Sequence, residues 1–515
     1  MSVDRRKAAS RLALLAGTLL LLAWALQYRL TSSESRYEHQ LRAAGEKLSI
    51  EELWPPAARP ESNGAALFKE TIAAWNNGGF LESNAPVAMS LVAPGKAVVA
   101  WAQPDARLDH VVAWQDVEEA LSRCRDDLEE VRLAAQRPVL DFKLDYREGP
   151  SLLIPHLAPL KKAAQRLVTA ELCDLHEGDV ARAVTNVEVM LELANAMMQE
   201  RLAISQLIRM AMAQQAMAAT WELLQATNLS DQQLAAIQGD WTGVHFLEPA
   251  HDAIAMDRAI DKMALEKMRS SSAEFQQFDS RYGTSGSRPS SGSFLWELMQ
   301  ELTTGLKART RAARWRFGAS YPDELCMLKG FQAVLEEYRE VRSGRPYAPV
   351  LAQQSSRLAS LGLTPTKDEL SGENLRGFVS VGVVASLSGI LNRVFVAETE
   401  REMAITALAL KRYQLAHGRY PAELSALLPQ FIDVLPKDLA DGQPLRYGLR
   451  PDGTFLLYSI GEDGKDDGGD GSMATQSVSL IWQKGRDLVW PLPATLEEIT
   501  AHERTKVSKA APARP

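Results

Sequence analysis

Long tracts of this chain repeat apolar residues at spacings of three and four. Val180, Val184, Val187, Leu191, Ala194 and Met198 fall on one face of a helix wound at 3.6 residues per turn. Just before them, Gly178 stands where a preceding helix would end in the left-handed region, and Asp179 is placed to cap the new one. The stretch predicts an antiparallel helical hairpin. Helical text dominates from about 109 to 224 and resumes from Asp231 to Lys267. The hairpin does not recur at a period of 34 residues, which argues against a helical array. From Arg269 to Phe294 the pattern gives way to Ser and Gly, as in a long flexible loop that is either a lid or a plain insertion. Pro55, Pro56 and Pro60 break an earlier segment into a connector.

The pattern changes near the carboxy terminus. Met403, Leu410 and Tyr413 on one side, and Ile405, Leu408 and Leu415 on another, predict a helix buried over a wide arc, stopped by Gly418 and Pro421. The turn dipeptides Asp441-Gly442 and Asp452-Gly453 then separate short runs at Leu445–Tyr447 and Thr454–Ser459, which read as antiparallel strands. The expected fold class is mainly α: a signal anchor over 1–30, a large helical domain over 31–370 carrying the loop 269–294, and a small α+β module over 371–496, a long helix packed on an antiparallel sheet. The polar end, 497–515, reads as a disordered tail.

Arg5, Arg6, Lys7 and Arg11 precede an uncharged run from Leu12 to Tyr28, with Trp24 and Tyr28 near its far end. A basic flank, an apolar middle and interfacial aromatics are what an anchor with its amino terminus inside requires. Ala23-Trp24-Ala25 leaves a cleaved signal peptide as the alternative. Both readings export the remainder, and the expected location is a bacterial inner membrane, crossed once, with the bulk in the periplasm. A second apolar stretch, Gly377–Leu391, is short for a bilayer and long enough for a buried helix.

Composition narrows the chemistry. The 515 residues carry a formal charge of −8, with no basic stripe interleaved with aromatics, so nucleic acid is not an expected partner. Cys124, Cys173 and Cys326 lie far apart and read as small hydrophobes, without C-x-x-C. His245 and His251 flank Glu248, but Pro249 argues against a helix presenting both to one zinc ion. The acidic run Asp126–Glu130 reads as a solvated face. The methionines between Met190 and Met217 read as core, with an adaptable groove as the alternative.

The most suggestive stretch is YSIGEDGKDDGGD, Tyr458–Asp470, where Glu462, Asp463, Asp466, Asp467 and Asp470 face only Lys465 within the loop. Unneutralised, these carboxylates repel one another, and a hard cation would relieve them. Residues 397–490 resemble the soluble domain of the major pseudopilin of type II secretion systems. The resemblance is carried by Ala409-Leu410-Lys411-Arg412-Tyr413 leading to Gly418-Arg419-Tyr420-Pro421, by Leu435-Pro436-Lys437-Asp438, by Asp441-Gly442-Gln443-Pro444-Leu445-Arg446-Tyr447 and by Leu457–Gly464. It implies calcium in the late loop, with Asp463, Asp466, Asp467 and Asp470 as ligands and Asp487 closing the site. The chain departs from that family in an extra segment between Asp470 and Asp487. It also lacks the leader junction and the membrane-helix glutamate of a processed pilus subunit.

These features give an expected function: a non-enzymatic, membrane-anchored exported envelope protein that works through contacts with other envelope proteins and carries a calcium-stabilised pseudopilin-like module. The alternatives are an exported hydrolase with a dispersed active site in the helical domain, and an accessory component of a type II secretion or pilus-like system.

Overall fold

A computed structural model describes residues 18, 28–29, 31–73, 79–106, 112–282, 310–363, 379–471 and 486–510. The expected anchor, apart from residues 18, 28 and 29, lies outside these. So do 283–294 of the expected loop, the module boundary near 371 and most of the extra segment.

The chain is mainly helical, with a small three-stranded sheet near its carboxy terminus. Helix α1 occupies 31–43. It is followed by α2 (Ala65–Ala73), α3 (Phe80–Asn84), α4 (Trp114–Ser122) and α5 (Arg125–Ala135). The predicted hairpin is α6 (Leu157–Glu177) and α7 (Val180–Ala196), packed against each other. Gly178 takes the left-handed conformation at φ 84°, and the Asp179 carboxylate accepts the Arg182 amide. Helix α7 ends two residues before Met198, which is therefore 37% exposed instead of sharing the apolar face.

Next come α8 (Ala203–Leu224), α9 (Asp231–Gly243), α10 (Leu247–Ser270) and α11 (Ser272–Tyr282). Residues 269–282, expected to be loop, are thus helical. Ser271 breaks α10 from α11, and its hydroxyl accepts the Glu274 amide at the start of the new helix. Pro249 sits inside the first turn of α10, where the amide it lacks would have had no helical partner. It does not interrupt the helix. Met190, Met210, Met212 and Met217 are buried in the core, as the packing alternative had it.

A π-helical turn, Trp315–Ala319, leads into α12 (Ser320–Arg342), followed by α13 (Tyr347–Ser360) and the 38-residue α14 (Ser380–His417). Helix α14 takes in most of the second apolar stretch, with Ser380, Val384, Leu387, Ile390 and Leu391 buried, and packs on α8, α9 and α12. Among the described residues no helix is long and apolar enough to cross a membrane.

Among the described residues, six short strands form two sheets: β1 (Ser90–Ala93), β2 (Lys96–Val98), β3 (Arg446–Leu449), β4 (Phe455–Ser459), β5 (Leu488–Val489) and β6 (Leu492–Pro493). In the sheet β3-β4-β5 all neighbours are antiparallel, and Tyr447 faces Leu457 across the predicted hairpin. In the other, β6 runs parallel to β2, so the carboxy-terminal end returns to the amino-terminal region. The Trp221 indole of α8 reinforces this return by donating to the Pro491 carbonyl at 2.7 Å. One continuous apolar core runs from Ile50 to Trp490 through the helical body and the sheet.

The expected disordered tail requires correction, because Leu496–Ala510 forms α15. Thr495 and Glu498 build a reciprocal capping box at its start: Glu498 Oε2 accepts the Thr495 amide at 2.7 Å, and Thr495 Oγ1 accepts the Glu498 amide at 3.3 Å.

Candidate functional site

The acidic loop leaves β4 through Gly461, whose φ of 73° and close approach to the Arg486 carbonyl leave no room for a Cβ. Gly464, Gly468 and Gly469 also have positive φ, and the chain folds back on itself. Each candidate ligand already has a partner. Asp463 Oδ1 accepts the Lys465 amide at 3.0 Å. Asp466 accepts the Tyr458 hydroxyl at 3.0 Å and the Gly468 amide at 2.9 Å, with Arg446 Nε 3.7 Å from its other oxygen. Arg486 reaches Asp470 at 3.4 Å and Asp467 at 3.7 Å. Buried Asp487 points into the loop from the far side of the extra segment, accepting the Gly469 amide at 2.8 Å and the Asp467 amide at 3.4 Å. Burial raises its pKa, the two amides oppose that shift, and repulsion from Asp466 and Asp467 adds to it.

The loop brings Asp487 to Asp467 and Gly469 through amide hydrogen bonds. The cations that relieve its charge are Arg446 and Arg486, from flanking segments that a count within the loop omits. Among the described residues, the three acidic groups whose oxygens come within 4.8 Å of one another are Glu34, Glu38 and Glu324, remote in sequence from the loop. A calcium ion needs six to eight converging oxygens. The loop carboxylates as arranged do not fit one.

Sequence reasoning missed the anchor of this region, Asp438. Fully buried, it accepts the Ala440 amide, the Ser459 hydroxyl and the Ile460 amide, and pairs with Arg446 at 3.1 Å. Burial raises its pKa against those bonds. The signal available was an aspartate three residues before Asp441-Gly442, followed directly by Leu439 and Ala440.

The Glu34, Glu38 and Glu324 group is a charge network as well as a carboxylate cluster. Lys262 Nζ lies 2.9 Å from Glu38, and Arg269 pairs with Glu324. Burial, with repulsion from Glu324 and Glu38, pushes Glu34 up to about 7. Lys262, which also pairs with Glu266 at 2.5 Å, and Arg269 thus already supply cations to this group.

His251 Nδ1 faces Asp252 at 3.4 Å on α10, whereas His245 precedes that helix. A different histidine, buried His156, contacts both Glu200 oxygens at 3.0 and 3.1 Å, and the Ser205 hydroxyl donates to the same carboxylate. A serine nucleophile needs its hydroxyl on the base. Here the carboxylate stands between them, so the trio holds a carboxylate in place and does not activate the serine.

Another cleft, of about 630 Å³, opens between α9, α14 and the segment 429–437. Ile405, Phe431 and Ile432 form its apolar floor, with Arg401, Arg412, Glu402 and Lys437 around them. The wall is tied down: Gln238 Nε2 donates to the Phe431 carbonyl at 2.8 Å, Arg412 bridges to Asp231 at 2.7 Å, and Arg401 Nε donates to the Trp241 carbonyl at 3.1 Å. Val434, 73% exposed, stands at the rim. Comparison with known proteins adds no relative to this geometry: no family model, no curated protein and no solved structure matches the chain.

Proposed function

We propose that this chain is a non-enzymatic binding protein of the bacterial envelope. Its amino-terminal segment holds it to the inner membrane, and its described body lies on the periplasmic side and grips an extended segment of a partner protein. The observation that carries this reading is the cleft between α9, α14 and 429–437. It is open, it has an apolar floor with a mixed-charge rim, and its walls are fixed by hydrogen bonds to main-chain carbonyls. A preformed cleft of mixed polarity whose walls are already hydrogen-bonded gains affinity without ordering itself on binding. The pseudopilin-like ending supplies one wall of that cleft, and its acidic loop is a structural turn held by Arg446 and Arg486.

The test places a photoreactive side chain at Val434 in the full chain, in membranes of the source bacterium, with a control at Leu133, which is 55% exposed on α5. Val434 should give a discrete cross-linked species that the control lacks. Identical products from both positions, or none, would sink the reading.

A further inference from the structure

A second cavity, of about 330 Å³, is walled by Trp54, Pro55 and Pro56 on one side and by residues 139–147 on the other, with Gln199 and Glu200 closing it. Its walls are largely apolar, and its charges are unevenly answered. Asp141 is paired with Lys143 at 2.6 Å and Asp145 with Arg147 at 2.8 Å, and both cations lie mostly in solvent, 60% and 63% exposed. Glu200 is different: its side chain is 5% exposed, and its neighbours are the His156 ring and the Ser205 hydroxyl. Neither is a permanent cation. A carboxylate offers about four lone-pair sites, so these partners orient it without exhausting it.

The aromatic wall has matching chemistry. Trp54, 41% exposed, meets the buried Tyr146 ring edge to face at 5.4 Å, and the Arg147 guanidinium already rests over the indole at 5.5 Å. Arg147 takes the cation position over the indole, so the rest of the ring is an apolar surface for the carbon body of a ligand. Tyr146 is pinned by the Arg201 amide, which donates to its hydroxyl at 3.1 Å. His156 is stacked on Phe142 at 3.9 Å. The site is therefore rigid before anything enters it.

We propose that this cavity binds a small organic cation, with its amino group directed to Glu200 and its apolar body against Trp54, Pro55 and Pro56. The proposal is independent of the cleft near Val434.

Calorimetric titration of the full chain with n-butylammonium, with n-butanol as the uncharged match and n-butyrate as the anion, tests it. The cation should bind measurably more tightly than the other two. Glu200→Gln should weaken it about tenfold or more, as loss of a charged hydrogen bond does. Because Glu200 is buried and its replacement could disturb folding, Trp54→Ala at the exposed wall is the second arm, and it should weaken binding of the cation while leaving the melting temperature close to that of the parent. Butanol binding as tightly as butylammonium, no binding of butylammonium at millimolar concentrations, or full affinity in Trp54→Ala would each overturn the proposal.

Discussion

At the scale of single residues, buried carboxyl groups set the sharpest expectations. Glu222 of α8 accepts the Met89 amide at 2.7 Å and the Ala100 amide at 3.0 Å, fastening the start of β1 and the residues after β2 to the helical core. Burial nonetheless pushes its pKa from 4.5 up to about 8, outweighing those two bonds. Between these values the folded chain keeps a proton that the unfolded chain has released, so this group's contribution to stability falls as pH rises across that window and is level below it. Glu222→Gln removes that linkage. Its melting temperature should fall less than the parent's between about pH 5 and pH 8, and parallel curves would mean that the group titrates normally. The acidic loop gives a second expectation. If it held calcium with a Kd near 10 μM, a millimolar concentration would add about 2.7 kcal/mol and several degrees of melting temperature. Since Arg446, Arg486 and the loop amides already occupy the carboxylates, calcium or a chelator should leave the melt of the full chain unchanged. Arg446→Ala should lower it, because it strips buried Asp438 of its cation. A chelator-sensitive melt would restore the ion.

At the scale of elements, what the sequence made legible was local chemistry. Asp179 caps α7 through the Arg182 amide, and Asp179→Ala should cost about 0.5–2 kcal/mol, read as a shift in denaturation midpoint. The hairpin of α6 and α7, the long helix ending at Gly418 and the pairing of β3 with β4 all arose from period and turn residues acting within a few positions. The errors have physical causes too. The Thr495-x-x-Glu498 box is a helix-start signal as clear as Asp179, but the many polar side chains between Glu497 and Lys509 masked α15; its face packs on β1 and Lys96 approaches Glu498 at 3.8 Å. Strands β1, β2 and β6 are two to four residues long, too short for alternation to register. Gly330 inside α12 shows a contact that no local rule predicts. A Cβ there would come within 2.5 Å of Val384 on α14, so the glycine permits the close approach of two helices. Gly330→Ala, which propensity alone would favour by about 1 kcal/mol, should destabilise by about 1–3 kcal/mol through overpacking. A stabilised variant would show that the interface has slack.

At the scale of the whole molecule, the question is whether the carboxy-terminal α+β unit is a module in the physical sense. Its long helix is buried on α8, α9 and α12, and Glu398 near the middle of that helix accepts the Phe246 and Leu247 amides at 2.6 and 3.0 Å, satisfying the open start of α10. The Tyr347 and Ala348 amides of α13 donate to the Leu439 and Ala440 carbonyls at 2.8 and 3.1 Å, and β6 completes a sheet begun by β1 and β2. Met403, Ala404, Leu408 and Leu410 are all but inaccessible only because helices outside the unit cover them along with its own sheet. Excision would expose that face and leave Trp221, Gln238 and the first turn of α10 without their acceptors. A fragment spanning 397–495 should therefore lack a cooperative melt and near-ultraviolet dichroism, whereas the full chain should unfold through one transition seen alike by both probes. A sharp, reversible melt of the fragment would mean that the small sheet and its helix carry enough core of their own, and that the contacts to α8, α9 and α13 are an interface between separable units.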